Sequence, residues 1–292
     1  MYHSMNRWII TLLALVFALG MQAQEVEYTK EDSALVVKLL KKAKTERGEE
    51  NRIMYFGKKF LGLTYMAQTL EQGDKEHLIV NVHGLDCTTF IETVVAFALC
   101  DRENQSTFED FCNNLRKIRY RNGEITDFTS RLHYFTWWAE NNERFGIVED
   151  IAPKSEPWGV FSAVRTINIT LMSAHPTRYE QLKKYPEMVP TLKQYEEEVN
   201  GKTFRYIPKK DLSLNQNTSL GVIKDGDIIA MVTKSGELDI AHLGIACWEN
   251  GALHLLHSSS LYKKVLLSKE TFYSYETKQP RHMGIRVFRF KD

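Results

Sequence analysis

Three observations predict an α+β fold with helices early in the chain and an antiparallel sheet at its end. Apolar residues recur with helical spacing up to about residue 145. From Gly226 onward the period falls to two, in short runs separated by KSGEL, ENG and longer polar segments. Between these regions, residues 146–220 are punctuated by Pro153, Pro157, Pro176, Pro186, Pro190 and Pro208, which marks an insertion.

In chain order, MYHSMNRW, IITLLALVFALG and MQAQ read as the n-, h- and c-regions of a secretory signal, residues 1–23, with the mature chain starting between Met21 and Glu25. The apolar run from Trp8 to Leu19 is short of the roughly 20 residues a membrane span needs, so no stable anchor is expected after cleavage. Residues 24–292 then form a single domain. SALVVKLLKKAK predicts a helix within 28–44, and NRIMYFGKKFLGLTYMAQTLE continues helical periodicity less cleanly before an extended piece at 77–82. The run from Cys87 to Cys100 is rich in β-branched residues but too long for one strand, and it predicts a buried helix, apolar nearly all round. TFEDFCNNLRKIRY and SRLHYFTWWAENN read as helices joined by the turn RNGEITD, and PTLKQYEEEVNG as a polar helix within the insertion. GDIIAMVT, DIAHLGIACW, ALHLLHSS and GIRVFRF are the predicted strands.

The chain has 43% hydrophobic and 11% aromatic residues, ample for a core, and a formal charge of +1 gives no electrostatic basis for nucleic-acid binding. The run KKAKTERGEE mixes both signs and reads as a solvated helix face. Four cysteines in an exported chain raise the question of disulfides. Cys100, Cys112 and Cys247 lie in apolar periodic segments and are explained as buried small side chains.

Cys87 is different, because it falls at a helix start with Asp86 in the N-cap position. There the unpaired backbone N–H groups favour a thiolate and should depress its pKa. A cysteine nucleophile needs a base and a group that orients the base. His242 in AHLGIACW is placed as the base, with Gly244 allowing close approach of another backbone. His254 or His257, across the Glu249-Asn250-Gly251 turn, would orient it. If Asn250-Gly251 form a type I′ turn, His257 shares a face with His242 and His254 does not; a three-residue loop reverses this. The same residues have blander readings as a buried thiol and a strand histidine. His83, Asp86 and Cys87 offer too few ligands at metal spacing for zinc. In the HYFTWW cluster the tryptophans suit a core, whereas Arg131 could pair with a substrate carboxylate and His133 could line a site.

DCTTF at a helix start, followed by AHLGIA and a strand ending HSSS, resembles the NlpC superfamily of papain-like cell-wall cysteine hydrolases. FLGLTYMAQTLE, LDCTTFIETVVAFAL, IRYRNGEITDFTSRLHYFTWW, INITLMSAHPTRYEQL and GDIIAMVTKSGELDIAHLGIA narrow the resemblance to its N-acetylmuramoyl-L-alanine amidase-like branch. The resemblance implies a papain-like α+β core with a catalytic helix packed on an antiparallel sheet, Cys87 as nucleophile and His242 as base. It adds weight to His257 as the orienting residue. It also implies a peptidoglycan or muropeptide substrate, cut between the muramoyl lactyl group and L-alanine, with no cofactor. Tyr65 takes the place of a tyrosine that reaches the reacting carbonyl. Thr88 and Thr89 stand where the superfamily often has Ser-Gly, and Thr64 where the branch more often has proline, so the neighbouring subsites differ in shape. Tyr65, Asp86, Thr88, Arg131 and His133 are the candidate substrate-binding residues. The rival functions are an endopeptidase cutting between D-glutamate and a diamino acid of the stem peptide, and a non-catalytic wall-binding module.

Overall fold

The computed structural model describes residues 26–154, 159–213 and 219–292; the expected export signal lies outside them. Nine α-helices occur among the described residues: α1 (Lys30–Glu46), α2 (Arg52–Lys59), α3 (Cys87–Arg102), α4 (Phe108–Arg119), α5 (Phe135–Arg144), α6 (Leu171–Ala174), α7 (Glu180–Lys184), α8 (Val189–Val199) and α9 (Phe272–Thr277). The strands are β1 (Val26–Glu27), β2 (Leu78–Ile79), β3 (Val148–Asp150), β4 (Ala163–Thr166), β5 (Thr203–Pro208), β6 (Ile228–Thr233), β7 (Ile240–Glu249), β8 (Ala252–Ser259), β9 (Lys264–Leu267) and β10 (His282–Phe290). The fold is mixed α+β, as the periodicity predicts. No helix among the described residues is long and apolar enough to cross a membrane.

Helix α3 is the centre of the molecule. Its β-branched residues disfavour a helix, but a reciprocal capping box sets its start: the Asp86 carboxylate accepts from the Thr89 N–H at 2.8 Å, and the Asp86 N–H donates to Thr89 Oγ1 at 2.9 Å. Burial does the rest, since every residue from Thr89 to Cys100 is buried. Phe97 stacks on Phe56 of α2 at 5.1 Å and meets Phe111 of α4 at 4.6 Å. The long helical continuation expected after α2 does not form. The chain leaves that helix after Lys59, and the 64–66 segment pairs instead with Leu85, ahead of α3.

The main sheet has eight strands in the order β4-β5-β10-β6-β7-β8-β9, with β3 also on β10, and all its pairings are antiparallel. Three of these strands come from the proline-punctuated region at 146–220, so that segment extends the sheet as well as supplying helices. It also docks on α5: Tyr134 donates to Glu196 of α8 at 2.7 Å, and Trp137 Nε1–H donates to the Tyr195 carbonyl at 3.2 Å. The aromatic cluster is therefore mostly core, as its helical spacing suggests. The sheet is buried on both faces, one against α3 and the other under Phe272 of α9 and the side chains of Leu212, Leu220 and Ile223, which is why β6 shows no exposed residue. Gly284 sits at φ +155°, where a Cβ would meet the Ile207 carbonyl oxygen at 2.0 Å, so a side chain there would push β5 from β10.

One buried ion pair fixes α3 to α4. Glu92 accepts from Arg119 Nε at 2.7 Å with both side chains about 3% exposed, and Arg119 Nη1 also reaches the Ile79 carbonyl at 2.7 Å. Glu92→Ala strands a buried guanidinium, and denaturant unfolding should show a loss of about 3–5 kcal/mol.

Candidate active site

Cys87 opens α3, and the chain on either side is tied down so that its sulfur meets β7. The Leu85 N–H donates to the Thr64 carbonyl at 3.3 Å and the Met66 N–H to the Leu85 carbonyl at 3.3 Å, which brings Tyr65 alongside the helix start. Ser258 of β8 donates its hydroxyl to the same Leu85 carbonyl at 2.6 Å. The backbone of Leu243 in β7 and the hydroxyl of Thr88 hydrogen-bond the thiol. Leu243 follows His242 in the chain, so the thiol lies against the strand that carries the imidazole.

The turn after β7 has Asn250 at φ 50° and Gly251 at φ 77°, the two left-handed positions of a type I′ turn. Register follows: Glu249 opposes Ala252, and Cys247 opposes His254. His257 thereby shares a face with His242, and their rings meet with Nε2 of His242 2.7 Å from Nδ1 of His257. His254 points to the other face, where its Nδ1 donates to the Ser268 carbonyl at 2.9 Å. Gly244 makes room for this pair, since a Cβ there would meet Leu255 Cδ1 at 2.6 Å and His257 Cβ at 3.1 Å. Side chains, rather than the backbone the sequence suggests, need the space. The Tyr275 ring meets His257 edge-on at 5.5 Å.

The electrostatics correct one expectation. The sequence places a thiolate at the helix start, but burial first, and then the Asp86 carboxylate, push the Cys87 thiol up to about 11, outweighing the hydrogen bonds from Leu243 and Thr88. Burial, with His257 and His282 adding to it, holds His242 down to about 3, and burial holds His257 down to about 4. At neutral pH the resting pair is a thiol and a neutral imidazole.

The remaining predicted residues divide. Burial, then the charges of Cys87 and Asp86, raise the Tyr65 hydroxyl above its ordinary range. Asp86 spends its carboxylate on the cap. Thr88 is exposed and, with His133, Trp138 and Leu243, lines a cavity of about 30 Å³. His133 donates Nε2–H to the Phe128 carbonyl at 2.7 Å, and burial, then Arg131, hold its ring down to about 3. Arg131 departs from expectation: it is 5% exposed, paired with Glu71 at 3.1 Å and Glu76 at 3.3 Å, and lies over the Phe128 ring. Its charge is met inside the protein, so it is not placed to receive a substrate carboxylate. His83 pairs with Asp32 at 2.9 Å and, with Glu27, Glu31 and Met66, lines a groove of about 610 Å³ next to the Tyr65 segment. Cys87, Cys100, Cys112 and Cys247 are all free, the last three buried.

Sequence reasoning missed Ser258, although it lies within the quoted HSSS, and Tyr275, for which no local pattern gives a signal. Among the described residues no group of three or more His, Cys, Asp or Glu side chains could hold a metal.

A mixed α+β protein with a cysteine opening its central helix and two imidazoles in contact on the adjoining sheet belongs among the amidase-type hydrolases when its relatives are considered. Residues 55–285 match the AmiA-like family model, described as N-acetylmuramoyl-L-alanine amidase-like, and the chain belongs to that family. It is similar to the crystal structure of an N-acetylmuramoyl-L-alanine amidase from Bacteroides uniformis ATCC 8492, with 38% identity, 82% of this chain and 99% of that one covered, and a TM-score of 0.75. A Bacteroides fragilis structure described as a candidate xylanase is 40% identical over 80% of this chain and 99% of that one, with a TM-score of 0.74. A Legionella pneumophila protein, 24% identical over 90% of this chain and 95% of that one, shares the fold with a TM-score of 0.69. Comparison with curated proteins found no match.

Proposed function

We propose that this protein is an exported cysteine amidase of the papain-like NlpC superfamily, formed by residues 24–292 as a single domain. It hydrolyses the amide between a muramoyl lactyl group and L-alanine in peptidoglycan fragments. The observation that carries the reading is the 2.7 Å contact between His242 and His257, on a strand whose next residue touches the Cys87 thiol, in a chain of an amidase-like family. With its Nε2 engaged by His257, His242 has Nδ1 left to take the thiol proton. For that, Nε2 carries a proton and donates it to His257 Nδ1, and His257 carries its own proton on Nε2. His257, kept neutral by burial, then stabilises the imidazolium that forms.

The steps follow. Cys87 sulfur attacks the amide carbonyl as its proton passes to His242 Nδ1. The oxyanion is held by the N–H groups of Cys87 and Thr88, which have no intrahelical partner, and by the Tyr65 hydroxyl. His242 returns the proton to the amide nitrogen, the C–N bond breaks, and the peptide leaves with a free L-alanine amine. Water, deprotonated by His242, cleaves the thioester to a muramoyl carboxylate and regenerates the thiol. The groove lined by Glu27, Glu31 and Asp32 offers room and negative charge for a peptide bearing an amine. A glycosidase would need two carboxyl groups flanking the bond to be cut. Around Cys87 the nearest carboxylate, Asp86, is committed to the helix cap.

Digestion of defined muropeptides followed by mass spectrometry tests the reading. Release of a peptide headed by L-alanine, together with a peptide-free muramoyl product, is expected. Cleavage after D-glutamate instead would show the endopeptidase activity, and no cleavage a wall-binding module.

The neutral resting pair has its own consequence. A thiol held near 11 is mostly protonated at pH 7, so iodoacetamide should label Cys87 at a rate rising about tenfold per pH unit through the neutral and mildly alkaline range. Cys87 should still react before Cys100, Cys112 and Cys247, which are buried and raised to about 12, 12 and 11. A rate flat from pH 6 to 9 would mean a preformed thiolate.

A further inference from the structure

The small cavity beside the thiol contains polar groups that the mechanism leaves unused. At about 30 Å³ it has the size of one water molecule. Cys87 itself is not in the wall, but two of the wall residues, Thr88 and Leu243, are the two that hydrogen-bond Cys87, so the cavity lies one residue away from the nucleophile. Most of the remaining wall is apolar, which leaves few ways to satisfy a polar group. Trp138 is one such group: it is 2% exposed, and its indole Nε1–H is buried without a partner. His133 is the other. A carbonyl can only accept, so the ring nitrogen facing the Phe128 carbonyl carries the proton and Nδ1 carries a lone pair. With the ring held down to about 3, that lone pair persists at neutral pH.

A one-atom group that accepts from an indole N–H and donates to an imidazole nitrogen is a hydroxyl. We propose that this cavity is a hydroxyl-binding site beside the nucleophile, formed by Trp138 Nε1–H as donor and His133 Nδ1 as acceptor. It is filled either by a solvent water or by a hydroxyl of the substrate. The solvent arm is independent of what the enzyme cleaves; the substrate arm rests on the amidase reading. In either case Trp138 and His133 are positioning residues, and an alkyl group of the same size is disfavoured because it leaves both of them unpaired.

The test is a high-resolution crystal structure of the free protein, and a second of Cys87→Ser with a bound muropeptide. In the free protein, density for one water within hydrogen-bond distance of both Trp138 Nε1 and His133 Nδ1 is expected. If that water persists in the complex, the source is solvent; if a substrate hydroxyl replaces it, the source is substrate. A dry cavity, one closed by side-chain movement, or one filled by a carbon substituent overturns the proposal. The free-protein result stands even if the muropeptide proves not to be a substrate, so the two readings fail separately. Trp138→Phe should lose the ordered water while His133 keeps its bond to Phe128, and full occupancy in that variant also overturns the proposal. If the variant does not fold, NMR of the wild-type protein labelled with ¹⁵N-tryptophan gives the same answer. One buried indole N–H should show a cross-relaxation peak to a long-lived water, and absence of any such peak overturns the solvent arm in the free protein.

Discussion

Cys87→Ala should abolish release of L-alanine-headed peptides, with turnover falling on the order of 10⁴-fold or more, because the thiol is the proposed carrier of the acyl intermediate and the neighbouring hydroxyls are far weaker nucleophiles. Folding should hardly respond. Cys87 is partly exposed, α3 is held by its capping box and by the buried run from Thr89 to Cys100, and neither depends on the sulfur. Circular dichroism and a thermal midpoint close to that of the parent would separate lost chemistry from lost structure. A folded variant that still cleaves at the parent rate would remove Cys87 from the mechanism, and with it the cysteine class of the enzyme.

His257→Ala is expected to lower turnover by on the order of 10²-fold or more, as for a group that fixes the tautomer of a catalytic base. Without it, His242 Nε2 loses the acceptor that holds its proton, and Nδ1 is no longer reserved for the thiol. His254→Ala should leave turnover near that of the parent, because its ring is on the other face, bonded to the Ser268 carbonyl. Measuring both variants decides the assignment: a large loss confined to His254→Ala would overturn it. His257→Gln is a further control, since an amide oxygen placed near Nδ1 could restore part of the acceptor function.

The local chemistry of the site was legible in the chain. Asp86 before an apolar run marks a capped helix with Cys87 in its first turn, and Asn250-Gly251 between alternating runs fixes a type I′ turn. That turn fixes parity, and parity puts His257 with His242 and turns His254 away. The four late strands were legible for the same reason, because alternation is a short-range property of the sequence. Helix α9 and strand β9 were not, being short and lacking a clear period.

Tertiary structure decided what depends on neighbours distant in sequence. The N-terminus of a helix by itself predicts a depressed thiol, yet packing against β7 and the Asp86 carboxylate raises Cys87, because desolvation of a thiolate outweighs a few hydrogen bonds. Arg131 reads as a free cation until Glu71 and Glu76, some sixty residues earlier, are folded against it. The 146–220 segment reads as an insertion from its prolines, and only the pairing of β3 and β5 with β10, and of β4 with β5, makes three of its stretches strands of the main sheet. Turn chemistry and capping act over three or four residues and so are written locally; burial, charge pairing and strand partnership are set by what the rest of the chain brings alongside.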